Sequence, residues 1–96
     1  MTIRWAAAAL DDVDRLADFA AGYDLALADA IEQELSQAPK RLLQFPRRGS
    51  RLSEFNPREI RELRVGKYLM RYELVARDIS VLRIFHGREN RLSVRD

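Results

Sequence analysis

The single histidine of the chain, His86, stands at the end of an apolar run and is followed by Gly87 and Arg88. An imidazole can act as a general base near neutral pH if other groups activate a nucleophile or hold the reacting phosphate. Cations could hold that phosphate during RNA cleavage. The candidates are Arg61, Arg64, Arg71, Arg83, Arg88 and Arg91. None of them supplies a second proton carrier, so the sequence favours a hydrogen-bonding or contact role for His86, with catalysis as the alternative.

Charge is divided unevenly along the 96 residues. Residues 1–38 hold eight acidic and two basic side chains, a net charge of −6, whereas residues 39–96 hold fifteen basic and seven acidic side chains, a net charge of +8. Fifteen of the seventeen basic residues are arginine, whose planar guanidinium pairs with phosphate or carboxylate through two hydrogen bonds. The basic part of the chain predicts a polyanion or an acidic protein as partner, and an ordinary solvated surface is the alternative.

Composition excludes several classes of site. The chain has no cysteine, so disulfides and thiolate metal sites are excluded, and one histidine argues against a histidine-rich metal centre. We expect no metal and no cofactor. No segment resembles a signal peptide or approaches the roughly 20 apolar residues of a membrane span. These features predict a cytoplasmic protein without membrane contact, folded as a single domain over residues 1–96.

The first half of the chain predicts a strand followed by two helices. Residues 2–5 alternate polar and apolar, as a short strand does. Helical spacing then appears at Ala9, Val13, Leu16, Ala17 and Ala20, and again at Leu27, Ile31, Leu35, Ala38 and Leu42. Between these stripes Gly22 offers a C-cap and Asp24 an N-cap, which predicts an antiparallel helical hairpin. Pro39 lacks an amide hydrogen, so the second helix should kink or end near Ala38 and resume to about Gln44.

The second half predicts strands. The segment Phe45–Pro57 is rich in turn residues and predicts a long connection without regular structure. Three strand signals follow at Glu59–Val65, Lys67–Val75 and Asp78–Phe85, which predicts a three-stranded antiparallel meander. The last of them is apolar on both faces, so we expect it in the interior of the sheet. Helices first and strands afterwards indicate an α+β fold, with the helical hairpin packed on one face of the sheet.

Two further features could contact nucleic acid. Tyr68 and Tyr72 lie near arginines, a mixture typical of surfaces that bind single strands. Both rings share a strand face with Met70 and Leu74, however, and this pattern favours core packing. The basic segment PRRGSR at residues 46–51 is equally consistent with a phosphate contact and with a solvated turn.

The ordered set of short motifs along the chain resembles the RelE/ParE superfamily of toxins from bacterial type II toxin–antitoxin pairs. Trp5 ends the first strand, and an A-x-x-D-(apolar) helix opening follows at residues 9–13. The remaining motifs are P-x-x-G at Pro46 and Gly49, R-x-L with a glycine at Arg61, Leu63 and Gly66, Y-x-x-x-Y at Tyr68 and Tyr72, and H-x-R at His86 and Arg88. The resemblance implies a small α+β domain with an N-terminal strand, a helical hairpin and a meander, as deduced above.

The superfamily contains two activities. RelE-like members cut mRNA on the ribosome without a metal, and ParE-like members poison DNA gyrase. Nuclease-type members often carry an arginine where this chain has Leu69, and a C-terminal tyrosine for which this chain has no counterpart after Phe85. The resemblance therefore implies a ParE-like inhibitor that stabilises the cleaved DNA complex of gyrase and stops growth. A ribosome-dependent endoribonuclease and a non-toxic binding module are the alternatives, and enzyme activity stays open.

The residues expected to bind the target or the antitoxin are Arg61, Arg64, Arg83, His86, Arg88 and Arg91. If the chain were a ribonuclease, His86, Arg88 and Arg61 would form its catalytic site. The resemblance also implies a cognate antitoxin of the ParD-like, ribbon-helix-helix type. The two proteins would assemble as a hetero-oligomer that reaches operator DNA only through the antitoxin.

Overall fold

The chain begins with a strand and a helical hairpin and continues into a sheet whose longest strands come last. The structure, a computed structural model, describes residues 1–88. Its strands are β1 Thr2–Trp5, β2 Ser50–Arg51, β3 Glu59–Val65, β4 Tyr68–Val75 and β5 Asp78–His86. Its helices are α1 Ala7–Ala21 and α2 Leu25–Gln37, with 3-10 helices at Ala38–Leu43 and Ser53–Phe55. The predicted α+β class is confirmed.

The ends of the helices follow from local chemistry. The carboxylate of Asp24 accepts hydrogen bonds from the amides of Ala26 at 2.9 Å and Leu27 at 3.4 Å, so Asp24 is the predicted N-cap of α2. Gly22 caps α1 in a right-handed helical conformation. Pro39 ends α2 as expected, because the chain continues as a 3-10 helix over Ala38–Leu43. The prediction that the α-helix resumes after Pro39 is wrong, because the segment that follows is a 3-10 helix.

The sheet has the order β1-β5-β4-β3-β2. The strands β3, β4 and β5 pair antiparallel as a meander, while β1 pairs parallel with the first half of β5, from Thr2 opposite Asp78 to Trp5 opposite Val81. β5 therefore lies between β1 and β4, in the interior of the sheet. The pairing shifts where Arg71 opposes Arg83 and Tyr72 opposes Val81, which leaves one extra residue in β5.

Both helices pack on one face of the sheet and enclose the main core. The buried residues of this core alternate along the strands, as a single sheet face requires. On β4 they include Met70 and Tyr72, and on β5 Ile79, Val81 and Ile84. Phe85 is also fully buried, but it lies outside this cluster, on the other face of the sheet.

Two details of the predicted organisation are wrong. Leu27 is 47% exposed, and its neighbour Ala28 takes its place in the buried stripe of α2 and belongs to the core cluster. The segment Phe45–Pro57 is not irregular throughout. It contains β2, which pairs with Arg61 and Glu62 on the edge of β3, and the 3-10 helix Ser53–Phe55.

Candidate functional site

The predicted binding residues fall into two groups in the structure. Arg61 and Arg83 are largely buried and bonded within the chain, whereas Arg64 and Arg88 are exposed near the end of the sheet where β3 joins β4. His86 is partly buried and lies beside Arg88. The sixth predicted residue, Arg91, lies outside the described residues.

Arg61 fixes the segment that precedes β2. Its Nε donates to the Glu59 carboxylate at 2.9 Å, and its Nη1 donates to the carbonyl oxygens of Gly49 at 2.8 Å and Arg47 at 3.3 Å. The Arg61 side chain is only 15% exposed. Its hydrogen-bonding capacity is therefore directed into the fold, toward a loop that would otherwise have unsatisfied carbonyl groups.

Tyr72 holds the same segment from the sheet. Its hydroxyl donates to the Pro46 carbonyl at 2.7 Å and accepts from the Gly49 amide at 3.0 Å. Burial raises the pKa of Tyr72, against the lowering effect of the Gly49 hydrogen bond and of the Arg61 charge. A Cβ at Gly49 would lie 2.8 Å from the Tyr72 hydroxyl and from the Glu62 carbonyl oxygen, so only glycine allows this close approach.

Arg83 forms a buried ion pair with α1. Its Nε and Nη2 donate to the two carboxylate oxygens of Asp12 at 2.8 and 3.0 Å. The Ile84 amide donates to the same carboxylate at 2.8 Å. β1 has already ended at Trp5, opposite Val81, so Asp12 supplies the acceptor that a longer β1 would have offered to the edge of β5. The motif position Asp12 is therefore structural.

A row of charges crosses the sheet on the face opposite the helices. Glu62, Arg71 and Arg83 oppose one another in register on β3, β4 and β5. Arg71 approaches Glu62 to 3.7 Å, and its guanidinium lies 5.1 Å from the ring centres of both Phe55 and Phe85. The aromatic faces stabilise this buried cation, so the row belongs to the packing of the fold.

His86 makes a hydrogen bond that defines its ring. Its Nδ1 accepts from the backbone amide of Arg88 at 3.1 Å, and its ring lies edge-on to Tyr68 with centroids 5.7 Å apart. An Nδ1 that accepts must carry a lone pair, so the neutral imidazole has its hydrogen on Nε2. The Nδ1 lone pair is thus directed at the backbone of the chain itself.

The exposed cations surround a cavity at the end of the sheet. This cavity, of about 440 Å³, is lined by Arg64, Lys67, His86, Gly87 and Arg88. We call Arg64, Lys67 and Arg88 the rim cluster. Lys67 enters it from the β3–β4 turn, where Gly66 has a φ of +59° that favours glycine. None of the three side chains makes an ion pair or hydrogen bond with another side chain within residues 1–88.

A second cavity lies on the helical side of the same residues. It has a volume of about 590 Å³ and is lined by Arg15, Leu16, Phe19, His86 and Arg88. We call it the helix-side groove. Phe19 is 70% exposed and packs edge-on against Tyr23, which is 77% exposed. His86 and Arg88 therefore separate a basic cavity from a groove with apolar side chains.

The three residues expected in a ribonuclease site are not brought together. His86 and Arg88 are neighbours, but Arg61 opposes Tyr72 whereas His86 opposes Tyr68. Four residues along β4 separate these two levels, about 13 Å at the usual rise of a strand.

The carboxylate of Glu59, which accepts a hydrogen bond from Arg61, has a lowered pKa. The hydrogen bond from Arg47 lowers the pKa of Glu59 most, partly opposed by burial, and Arg61 lowers it further.

Within residues 1–88 no three histidine, aspartate or glutamate side chains are grouped as ligands for a metal ion. No helix in that part of the chain has the length and apolar character needed to cross a membrane.

Sequence reasoning missed several members of these surfaces, among them Lys67 and Phe19. Lys67 was read only as the start of a strand, although its place beside a glycine turn between two strands is a signal for an exposed hairpin tip. Phe19 lies three residues after Leu16 on α1, and only the packed hairpin shows that its ring is exposed.

Comparisons with known proteins agree with this geometry. Residues 3–91 match the family described as the ParE toxin of the type II toxin–antitoxin system parDE. A solved structure titled "Chromosomal ParDE TA system from P. aeruginosa" superimposes with a TM-score of 0.75 at 21% identity, over 90% of this chain and 95% of that one. No curated protein sequence matches the chain. Because the family match spans nearly the whole sequence, the chain belongs to the ParE family of toxins of type II toxin–antitoxin systems.

Proposed function

We propose that this ParE-family toxin inhibits DNA gyrase by binding it and stabilising its cleaved DNA complex, and that a cognate antitoxin neutralises it. The observation that carries the proposal is the family match over residues 3–91. Because gyrase acts on the chromosome, the toxin works in the cytoplasm. It blocks replication and growth by contact, without breaking a bond itself.

The geometry of the candidate residues supports contact over catalysis. Arg61 is bonded to Glu59 and to backbone carbonyls, about 13 Å along β4 from the level of His86. The His86 ring already accepts a hydrogen bond at Nδ1. A general base needs a lone pair directed at the proton that it removes, and the Nδ1 lone pair of His86 is directed at the Arg88 amide instead.

The residues that we propose for binding are then fewer than those predicted from the sequence. Arg64, His86 and Arg88 contact the target or the antitoxin, whereas Arg61 and Arg83 act by holding the strands that present them. Arg83 does so through Asp12, and Arg61 through the loop at Gly49. Arg91, three residues beyond Arg88, belongs to the same proposed contact set.

The helix-side groove suits the antitoxin. We expect a ParD-like antitoxin of the ribbon-helix-helix type whose C-terminal segment folds on the toxin, with apolar side chains against Leu16 and Phe19 and acidic ones near Arg15 and Arg88. Charge-assisted hydrogen bonds contribute roughly 1.5 to 3 kcal/mol each, before the cost of ordering the segment. The hetero-oligomer then contacts operator DNA through the antitoxin alone.

A gyrase cleavage assay tests the proposal. The purified chain is added to gyrase and supercoiled plasmid, the reaction is stopped with detergent and protease, and linear DNA is measured. We expect linear DNA to accumulate with the wild-type chain, to fall with Arg88→Gln, and to remain with Arg77→Gln. Arg77 is the matched control because it is an exposed arginine at the β4–β5 turn, beyond the far end of β4, whose seven steps from Tyr68 to Val75 span roughly 23 Å at the usual strand rise.

Two results would contradict the proposal. Cleavage of mRNA in a translation reaction that depends on the chain, with gyrase unaffected, would favour the ribonuclease. Absence of both effects, and of any growth inhibition on expression, would favour a non-toxic binding module. Binding of the antitoxin is measured separately over a salt series, because arginine contacts predict dissociation that quickens as salt rises.

A further inference from the structure

The three cations of the rim cluster lack a contact that six arginines in or beside the strands make. Each of those six pairs with a carboxylate: Arg4 with Asp78, Arg47 and Arg61 with Glu59, Arg58 with Glu73, Arg71 with Glu62 and Arg83 with Asp12. Arg64, Lys67 and Arg88 have no such partner among residues 1–88. Glu34 is the acidic side chain that comes near, and it is directed at Gly66 and does not line the cavity.

We propose that Arg64, Lys67 and Arg88 form a phosphate-binding site that takes the sugar–phosphate backbone of a nucleic acid at the end of the sheet. The three cations come from β3, from the β3–β4 turn and from the residues after β5, and they converge on one cavity of about 440 Å³. Among residues 1–88 no acidic side chain lines that cavity, so within this part of the chain its positive field is not cancelled locally.

The character of the lining favours phosphate over an acidic peptide. An acidic peptide would neutralise one cation with each carboxylate, and its apolar side chains would need an apolar surface to pack against. The rim cavity is lined by cations, a histidine and a glycine, whereas apolar side chains line the helix-side groove instead. A nucleic acid offers closely spaced negative charges and can neutralise several cations at once. Arg64 and Arg88 also provide forked guanidinium groups that suit phosphate oxygens.

The inference rests on the proposed function for the identity of the nucleic acid, which is the DNA held in the gyrase complex. The toxin would then contact both components of that complex. The rim cluster would contact the DNA backbone without reading bases, since phosphate contacts carry no sequence information directly.

The test is binding of the 96-residue chain to a short fluorescein-labelled DNA duplex of mixed sequence, measured by anisotropy over a series of salt concentrations. With three phosphate contacts the logarithm of affinity falls with the logarithm of salt at a slope of about −2.7, so a fourfold rise in salt weakens binding about 40-fold. Arg64→Gln and Lys67→Gln each remove one contact. Each should reduce the slope by about 0.9 and the loss to about 12-fold.

Arg77→Gln serves again as the matched control, because it removes the same charge at the far end of the β4–β5 hairpin and should leave the slope unchanged. Thermal melts of all variants should coincide, since Arg64, Lys67 and Arg77 are exposed. A slope in Arg64→Gln and Lys67→Gln equal to that of Arg77→Gln would overturn the phosphate site.

A labelled glutamate-rich peptide distinguishes the other class of occupant. If Arg64→Gln and Lys67→Gln bind the duplex as tightly as the wild-type chain but lose the peptide, the cavity takes an acidic protein and the nucleic-acid proposal is wrong.

Gyrase cleavage, measured on the same preparations, separates the two proposals. A chain that binds the duplex with the expected slope but traps no gyrase refutes the proposed function and supports the phosphate site. A chain whose trapping of gyrase falls with Arg88→Gln, but whose duplex binding keeps its slope in Arg64→Gln and Lys67→Gln, supports the proposed function and refutes the phosphate site.

Discussion

Removal of the Asp12 carboxylate should be among the most damaging changes to the stability of this chain. Asp12 accepts from Arg83 Nε at 2.8 Å, from Arg83 Nη2 at 3.0 Å and from the Ile84 amide at 2.8 Å. The Asp12 side chain is 5% exposed and the Arg83 side chain 20%. Asp12→Ala therefore leaves a mostly buried guanidinium without its counterion and an amide at the edge of β5 without its acceptor.

The size of the loss follows from these contacts. Breaking a buried ion pair by removing one partner costs about 3 to 5 kcal/mol. Arg83 keeps a contact with the Phe85 ring at 5.4 Å and retains some access to water, so we expect the lower end, about 3 kcal/mol. For a domain of this size each kcal/mol lowers the melting temperature by roughly 4 to 8 °C. Asp12→Ala should therefore lower it by roughly 12 to 24 °C.

Asp12→Asn and Asp14→Ala separate the charge from the packing. Asparagine keeps an oxygen that can accept from the Ile84 amide, so its loss should be about half as large. Asp14 is exposed on the same helix, and its replacement by alanine should change stability by less than about 0.5 kcal/mol. The measurement is thermal or urea unfolding followed by circular dichroism. A melting temperature for Asp12→Ala equal to that of Asp14→Ala would refute the reasoning, as would additive losses in an Asp12→Ala and Arg83→Ala double-mutant cycle.

Four further results are expected from the segment held by Tyr72 and the residues that contact it, each checked by unfolding. Gly49→Ala should destabilise the chain by roughly 1 to 3 kcal/mol, because its Cβ would lie 2.8 Å from the Tyr72 hydroxyl and from a backbone carbonyl, whereas Gly22→Ala in a right-handed helical conformation should be neutral or stabilising. Tyr72→Phe should cost about 1 to 3 kcal/mol because it leaves the buried Gly49 amide without an acceptor, and a loss below that of an exposed Tyr23→Phe control would contradict this. The pKa of Glu59 is lowered in the folded state, so its contribution to stability is present above the ordinary glutamate pKa and is lost as pH falls through the lowered pKa. Glu59→Gln should therefore reduce the loss of stability at acid pH. An unchanged loss would count against the Arg47 hydrogen bond. Burial raises the pKa of Tyr72, so the contribution of this group is lost as pH rises from the unfolded tyrosine pKa through the raised one, and Tyr72→Phe should remove that alkaline loss.

Periodicity along the chain predicted the elements well because it depends only on residues that are near one another in the sequence. The bounds of β1 and β3 agree with their sequence patterns, and the interior place of β5 follows from its apolar residues on both faces. Leu27 failed the pattern, since the choice between two neighbouring apolar residues at the start of a helix depends on the packing partner.

The sequence predicted which types of residue form the candidate site, but not which of its arginines are bonded within the chain and which are exposed. Arg61, Arg64, Arg83 and Arg88 look alike in the sequence, and what separates them is the position of distant carboxylates. Asp12 lies 71 residues from Arg83 along the chain, and no local pattern indicates such a pair. Charge clustering therefore located the basic half of the molecule, and only tertiary contacts show which cations face outward.

The parallel pairing of β1 with β5 has a consequence for synthesis on the ribosome. β1 is hydrogen-bonded in the sheet to β5 alone among residues 1–88, and Thr2 must wait for Asp78 to be translated before it can pair. Contacts this distant along the chain slow folding, since loop closure precedes any gain from them. A polypeptide that is released before β5 is translated lacks the central strand of its sheet, and it also lacks His86 and Arg88. Incomplete translation products of this toxin should therefore be harmless to the cell.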